Sequence, residues 1–94
     1  MNTAPILIVD DDLEDQEILR MAWGELNYSN ELVFFTDPKE VLKYVKSQQI
    51  VPFLIISDVN LIGMDGFEFK KKLLEDESLK YKSIPFVHSQ ASVG

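Results

Sequence analysis

Cysteine is absent from the 94 residues, so neither a disulfide nor a thiolate-bound metal can contribute to the fold or to any chemistry. Glycine and proline are scarce, at four each, which excludes a collagen-like or low-complexity chain. Histidine occurs once, at His88, so catalysis or metal binding by paired histidines is ruled out. Basic residues number 9 against 16 acidic ones, a net charge of −7. Non-specific nucleic-acid binding rests on neutralising phosphates with Lys and Arg, and this balance opposes it. Apolar runs are all too short to cross a bilayer, and no basic stretch leads into an apolar core near Met1. The expectation is a soluble, non-secreted, cytoplasmic protein that contacts neither membrane nor nucleic acid directly.

Apolar residues nonetheless make up 46% of the chain, enough for one small core near the lower size for an unaided domain. They gather in short runs. Ile6-Leu7-Ile8-Val9 leads straight into Asp10-Asp11-Asp12, and Phe53-Leu54-Ile55-Ile56-Ser57 leads into Asp58. Such runs read as strands buried on both faces, the kind found in parallel sheets covered by helices. Leu32 to Phe35 and a run beginning at Ile84-Pro85-Phe86-Val87 supply two more. Between them lie amphipathic stretches. Asp12 is an expected N-cap, with Glu14, Asp15 and Glu17 favoured in the first turn by the helix dipole. Ile18, Ala22 and Leu26, beside Leu19 and Trp23, repeat at helical spacing and are expected to face the sheet. Asp37-Pro38 opens a second helix to about Ser47, with Val41, Leu42 and Val45 inward. Gly66 opens a third to about Glu75, with Phe67, Leu73 and Leu74 on its apolar side. Lys70-Lys71-Lys72 reads as a solvated helix face, and His88 as a structural strand residue. The alternation of strand and helix predicts a doubly wound α/β sheet with right-handed crossovers.

In such sheets ligands sit beyond the carboxyl ends of the strands, and two strands here end in acid. Asp58 alone reads as the start of a turn. Set beside Asp10 and Asp11, it makes a cluster whose mutual repulsion a hard divalent cation would relieve. Magnesium takes oxygen ligands of this kind, and an aspartate beside it can be a nucleophile toward a phosphoryl group.

Ile-Leu-Ile-Val-Asp-Asp-Asp at 6–12, Asp58 closing a strand and Gly63-Met64-Asp65-Gly66 after it resemble the receiver domain of bacterial response regulators. The resemblance runs from Ile6 to about Ser89, and Leu13 to Glu17 looks like single-domain members. It implies a flavodoxin-like sheet of order 2-1-3-4 in a single domain, with Asp58 as phosphoacceptor for a sensor histidine kinase or phosphotransfer protein. It implies Mg²⁺ at Asp10, Asp11 and Asp58, with the backbone carbonyl of Asn60. Asp12 remains a helix cap and Asp65-Gly66 a loop-shaping pair.

The sequence departs from the family pattern at several places. Ile62 stands where proline is usual. The switch hydroxyl is expected at Ser89, although Pro85 to Ser89 is one residue short and Gln90 replaces a small residue; Ser92 is the alternate. The family's final strand and helices have no counterpart here, nor does its phosphate-pairing lysine, for which Lys80 and Lys82 are misplaced. Two alternatives follow: a degenerate or truncated receiver that only binds partners, and a haloacid-dehalogenase-type phosphatase with Asp10 as nucleophile. Asp10-x-Asp12 favours the latter; Leu13 and the short chain oppose it. With order 2-1-3-4, strand four is an apolar edge, and the chain is expected either to self-associate through it or to be only marginally folded.

Overall fold

A computed structural model describes residues 4–47, 51–59, 61, 63–76 and 84–89. Four strands, β1 (Ile6–Val9), β2 (Leu32–Phe35), β3 (Leu54–Asp58) and β4 (Phe86–Ser89), form one sheet. Its order is β2-β1-β3-β4, with every described pairing parallel. Helices α1 (Leu13–Leu26), α2 (Pro38–Ser47) and α3 (Gly66–Glu75) alternate with the strands. This is the expected flavodoxin-like arrangement.

Side chains alternate across a strand, so each buried run must serve two faces. Leu7, Val9 and Ile55 point to the face where Val41 and Val45 of α2 meet Phe69 and Leu73 of α3. Val41, Val45 and Leu73 face inward as expected, but the inward aromatic of α3 is Phe69, not Phe67. Phe67 and Leu74 are exposed, because α3 lays the Phe69–Leu73 pair, four residues apart, on the sheet.

Ile8 and Ile56 point to the opposite face, where α1 lies. The apolar stripe of α1 is covered less than its spacing predicts. Ile18 is 66% exposed and Leu26 56%, and the one buried residue of α1 is Gln16. Among the described residues α2 and α3 both cover the other face, so nothing flanks α1. The gap between α1 and the sheet stays open as a groove of about 450 Å³, with Ile18, Leu19 and Ala22 along one wall. Trp23 turns toward the loop after α1: its Nε1 donates to the Asn30 carbonyl at 2.9 Å and its ring lies 5.0 Å from Tyr28. Asn27 ends the helix in the left-handed conformation, at φ 56°.

The local signals hold elsewhere. Asp12 caps α1 by accepting from the Glu14 and Asp15 N–H groups, and Asp65 caps α3 by accepting from Glu68 at 2.7 Å. His88 is packed structurally, its ring 4.4 Å from Phe67 and 5.1 Å from Phe86, with Nε2 3.1 Å from the Gly66 carbonyl. Lys71 and Lys72 are exposed, whereas Lys70 is half-buried with its Nζ 5.9 Å from the Phe86 ring centre.

Candidate functional site

Parallel register is what brings the two acidic strand ends together. Val9 is level with Ser57, so Asp10 and Asp58 leave neighbouring strands side by side. One carboxylate oxygen each from Asp10, Asp11 and Asp58 lies within 4.8 Å of the others. Asp58 is 5% exposed, while Asp10 and Asp11 are half-buried. Asp10 and Asp58 also line the end of the groove beneath α1, which makes the cluster reachable from solvent.

Each acid is held by local geometry. Asp10 Oδ1 accepts the Asp12 N–H at 2.9 Å, a short-range turn that aims the carboxylate back over the sheet edge. Behind Asp58 the chain folds tightly on itself. Gly63 adopts φ 82°, a conformation costly for residues with a Cβ. The Gly66 N–H then donates to the Val59 carbonyl at 2.7 Å, closing the loop against the strand end. The Ser57 hydroxyl is buried and donates to the Asp58 carbonyl at 2.9 Å.

Electrostatics mark the same place. Burial pushes the Asp10 carboxyl above its ordinary value, and the charges of Asp58, Asp15 and Asp11 push the same way. The Asp12 N–H opposes them by bonding the charged form. The sequence marks Asp15 only as a dipole-favoured first-turn acid. One of its oxygens is buried without a hydrogen-bond partner among the described residues, and it lines the groove with Asp10. Gln16 carries no role in the sequence reading, and only the fold shows that it is buried. Its Nε2 donates to the carbonyls of Asp10 and Phe35.

Three carboxylates converging, with no nitrogen or sulfur ligand among the described residues, suit a hard cation such as Mg²⁺. The upward push on Asp10 from its acidic neighbours is the repulsion that such an ion would remove. The β3–β4 register sets Ser89 level with Asp58. Asn60, Ile62, Lys80, Lys82, Gln90 and Ser92 lie outside the described residues, as does the side chain of Ser89.

A parallel sheet of this order, with helices between its strands and acids gathered at its carboxyl edge, defines a receiver-type α/β domain. The chain belongs to the response regulator receiver domain family, whose pattern matches residues 6–91. Members of that family act in two-component signalling. The chain is similar to the bacteriophytochrome response regulator AtBRR, at 26% identity and a TM-score of 0.80 over 94% of its length. The chemotaxis response regulator CheY4 of Vibrio cholerae is 28% identical, with a TM-score of 0.73 over 93%. The receiver domain of a signal transduction histidine kinase from Syntrophus aciditrophicus is 28% identical, with a TM-score of 0.73 over 90%. The chain spans 66%, 68% and 60% of those three chains. No curated protein matches it at significant similarity.

Proposed function

We propose that this chain is a phosphoacceptor receiver domain that takes a phosphoryl group from a phosphohistidine onto Asp58. The supporting observation is the meeting of Asp10, Asp11 and Asp58 within 4.8 Å at the carboxyl edge of the sheet. An Asp58 carboxylate oxygen attacks phosphorus as the donor's P–N bond breaks. The bonding pair returns to the imidazole, which is protonated on its other nitrogen and leaves neutral. The product is an acyl phosphate on Asp58. Asp10, Asp11 and Asp58, with the Asn60 carbonyl, would hold Mg²⁺, which when bound supplies charge neutralisation for the transferring group.

Ser89, level with Asp58 on β4, is the switch hydroxyl of this reading, and a change in β4 carries the signal. The donor is a sensor histidine kinase or a phosphotransfer protein, and the setting is the cytoplasm. No helix among the described residues is long and apolar enough to cross a membrane.

Incubation with a small phosphoramidate and Mg²⁺ tests the assignment, with base-labile, hydroxylamine-sensitive phosphate as the expected product. Asp58→Asn removes the label. Label that persists in Asp58→Asn but disappears in Asp10→Asn would place the nucleophile at Asp10, as in the dehalogenase-type alternative. A folded wild type that takes no label acts by binding alone.

A further inference from the structure

We infer that Gln16 is the positioning residue of the acidic cluster: its carboxamide sets where Asp10 stands, and through it the cluster's affinity for a divalent cation. The inference rests on the Mg²⁺ reading of the cluster given above.

Gln16 is 7% exposed and is the buried residue of α1. Its Nε2 lies 2.7 Å from the Asp10 carbonyl oxygen and 3.1 Å from that of Phe35. A carboxamide nitrogen carries two protons, so both are used. These two carbonyls mark where pairing between β1 and β2 stops, since Val9 and Phe35 are the last partners. The Asp10 N–H reaches the same Phe35 carbonyl at 3.0 Å. Gln16 thus anchors the peptide that follows the Asp10 Cα, while Phe35 anchors the one before it. With both flanking peptides held and Oδ1 tied to the Asp12 N–H at 2.9 Å, the direction of the Asp10 side chain is determined.

An apolar side chain here would avoid the desolvation cost of a buried carboxamide but would take the donor from the Asp10 carbonyl, so the amide's place is set by that carbonyl. Neutrality also matters. A lysine or arginine would bring its own positive charge to the cluster in competition with the ion, and a glutamate would add a further repelling carboxylate. A neutral double donor holds the backbone and leaves the carboxylates to the cation.

The experiment is a Mg²⁺ titration of wild type and Gln16→Met, which keeps the reach and removes the donors. Binding is followed by the Asp10 and Asp58 amide resonances, and the folded fraction by circular dichroism. The expected result is a Kd about tenfold weaker in Gln16→Met, the lower end of what outer-shell partners of a metal contribute. Leu42→Ala, a destabilising truncation away from the cluster, leaves the Kd unchanged. In the wild type the Gln16 carboxamide signals shift with Mg²⁺ and saturate with the Asp10 amide. That measurement decides the matter if Gln16→Met fails to fold. Wild-type binding with an unchanged Kd in folded Gln16→Met, or a Gln16 carboxamide indifferent to Mg²⁺, overturns the positioning role alone. A folded wild type that binds no Mg²⁺ overturns the metal reading, and this inference with it.

Discussion

Gly66 stands directly beneath Asp58: a Cβ built on Gly66 would lie 2.5 Å from the Asp58 carbonyl oxygen and 3.0 Å from the Val59 Cα. Both obstacles are backbone, so neither can rotate away. Replacing a helical glycine by alanine ordinarily gains up to about 1 kcal/mol. Overpacking against fixed atoms costs about 1–3 kcal/mol, and here it wins. Gly66→Ala is therefore expected to lower the urea midpoint and to disturb the amide signals at Asp58. An unchanged or raised midpoint would show that the loop has room that the structure denies it.

Mg²⁺ is expected to stabilise the folded chain. An ion that binds only the native state adds roughly 1 kcal/mol once it reaches a few times its Kd. For a domain of this size each kcal/mol raises the melting temperature by about 4–8 °C. Asp11→Asn should abolish that gain and, by removing one charge from the cluster, leave the metal-free protein no less stable. A wild-type melting temperature that ignores millimolar Mg²⁺ would remove the cation from the account.

The raised pKa of Asp10 has a pH signature in metal-free protein. The folded chain holds this proton more tightly than the unfolded chain, whose value is near 3.8. Above the folded pKa the charged group weakens the fold; as pH falls through that value toward 3.8, the penalty disappears. Asp10→Asn keeps an oxygen for the Asp12 N–H and should exceed the wild type in stability at neutral pH. Its advantage should shrink across that acidic window. Denaturant unfolding of both proteins between neutral and acid pH measures the difference, and a pH-independent gap contradicts it. Mg²⁺ affinity should weaken over the same window, as protons compete for Asp10.

The two aromatics near the start of α3 should respond very differently to truncation. Phe69 is fully buried between the sheet and α2, so Phe69→Ala is expected to cost about 3–5 kcal/mol. Phe67 is exposed and touches the His88 ring, so Phe67→Ala should cost well under half as much. Chemical denaturation decides this directly. Equal losses would mean that α3 is rotated from its described position.

Among the described residues β4 has a strand neighbour on one side only, and Val87 on it is 49% exposed. An open apolar edge invites pairing with another chain, and lysine on such an edge discourages it. Sedimentation is expected to show concentration-dependent association of the wild type that Val87→Lys suppresses. A wild type that remains a compact monomer at high micromolar concentration would mean that this edge is covered.

Much of the molecule was legible in the amino-acid order, because local signals and long-range needs agree there. The runs at Ile6–Val9 and Leu32–Phe35 are apolar throughout and read as strands of a covered sheet. Asp12 and Asp65 cap the helices that follow them, since a carboxylate beside free helical N–H groups has an immediate local partner. Asp10, Asp11 and Asp58 were recognisable as one cluster because two apolar runs each lead into acid, and parallel register brings those ends side by side.

What the tertiary structure alone decided concerns faces and backbone contacts. Helical periodicity marks an apolar stripe on α1 but carries no information about how much of it a neighbour covers, so the exposure of Ile18 and Leu26 was not legible. Burial of Phe69 rather than Phe67 depends on a rotation of α3 that sequence spacing leaves open within one turn. Gln16 could be placed on the cluster only once α1 was seen to cross the end of β1, because its partners are carbonyls, and every residue carries one. A side chain's identity declares what it can bond; which backbone atoms come within reach is settled by packing.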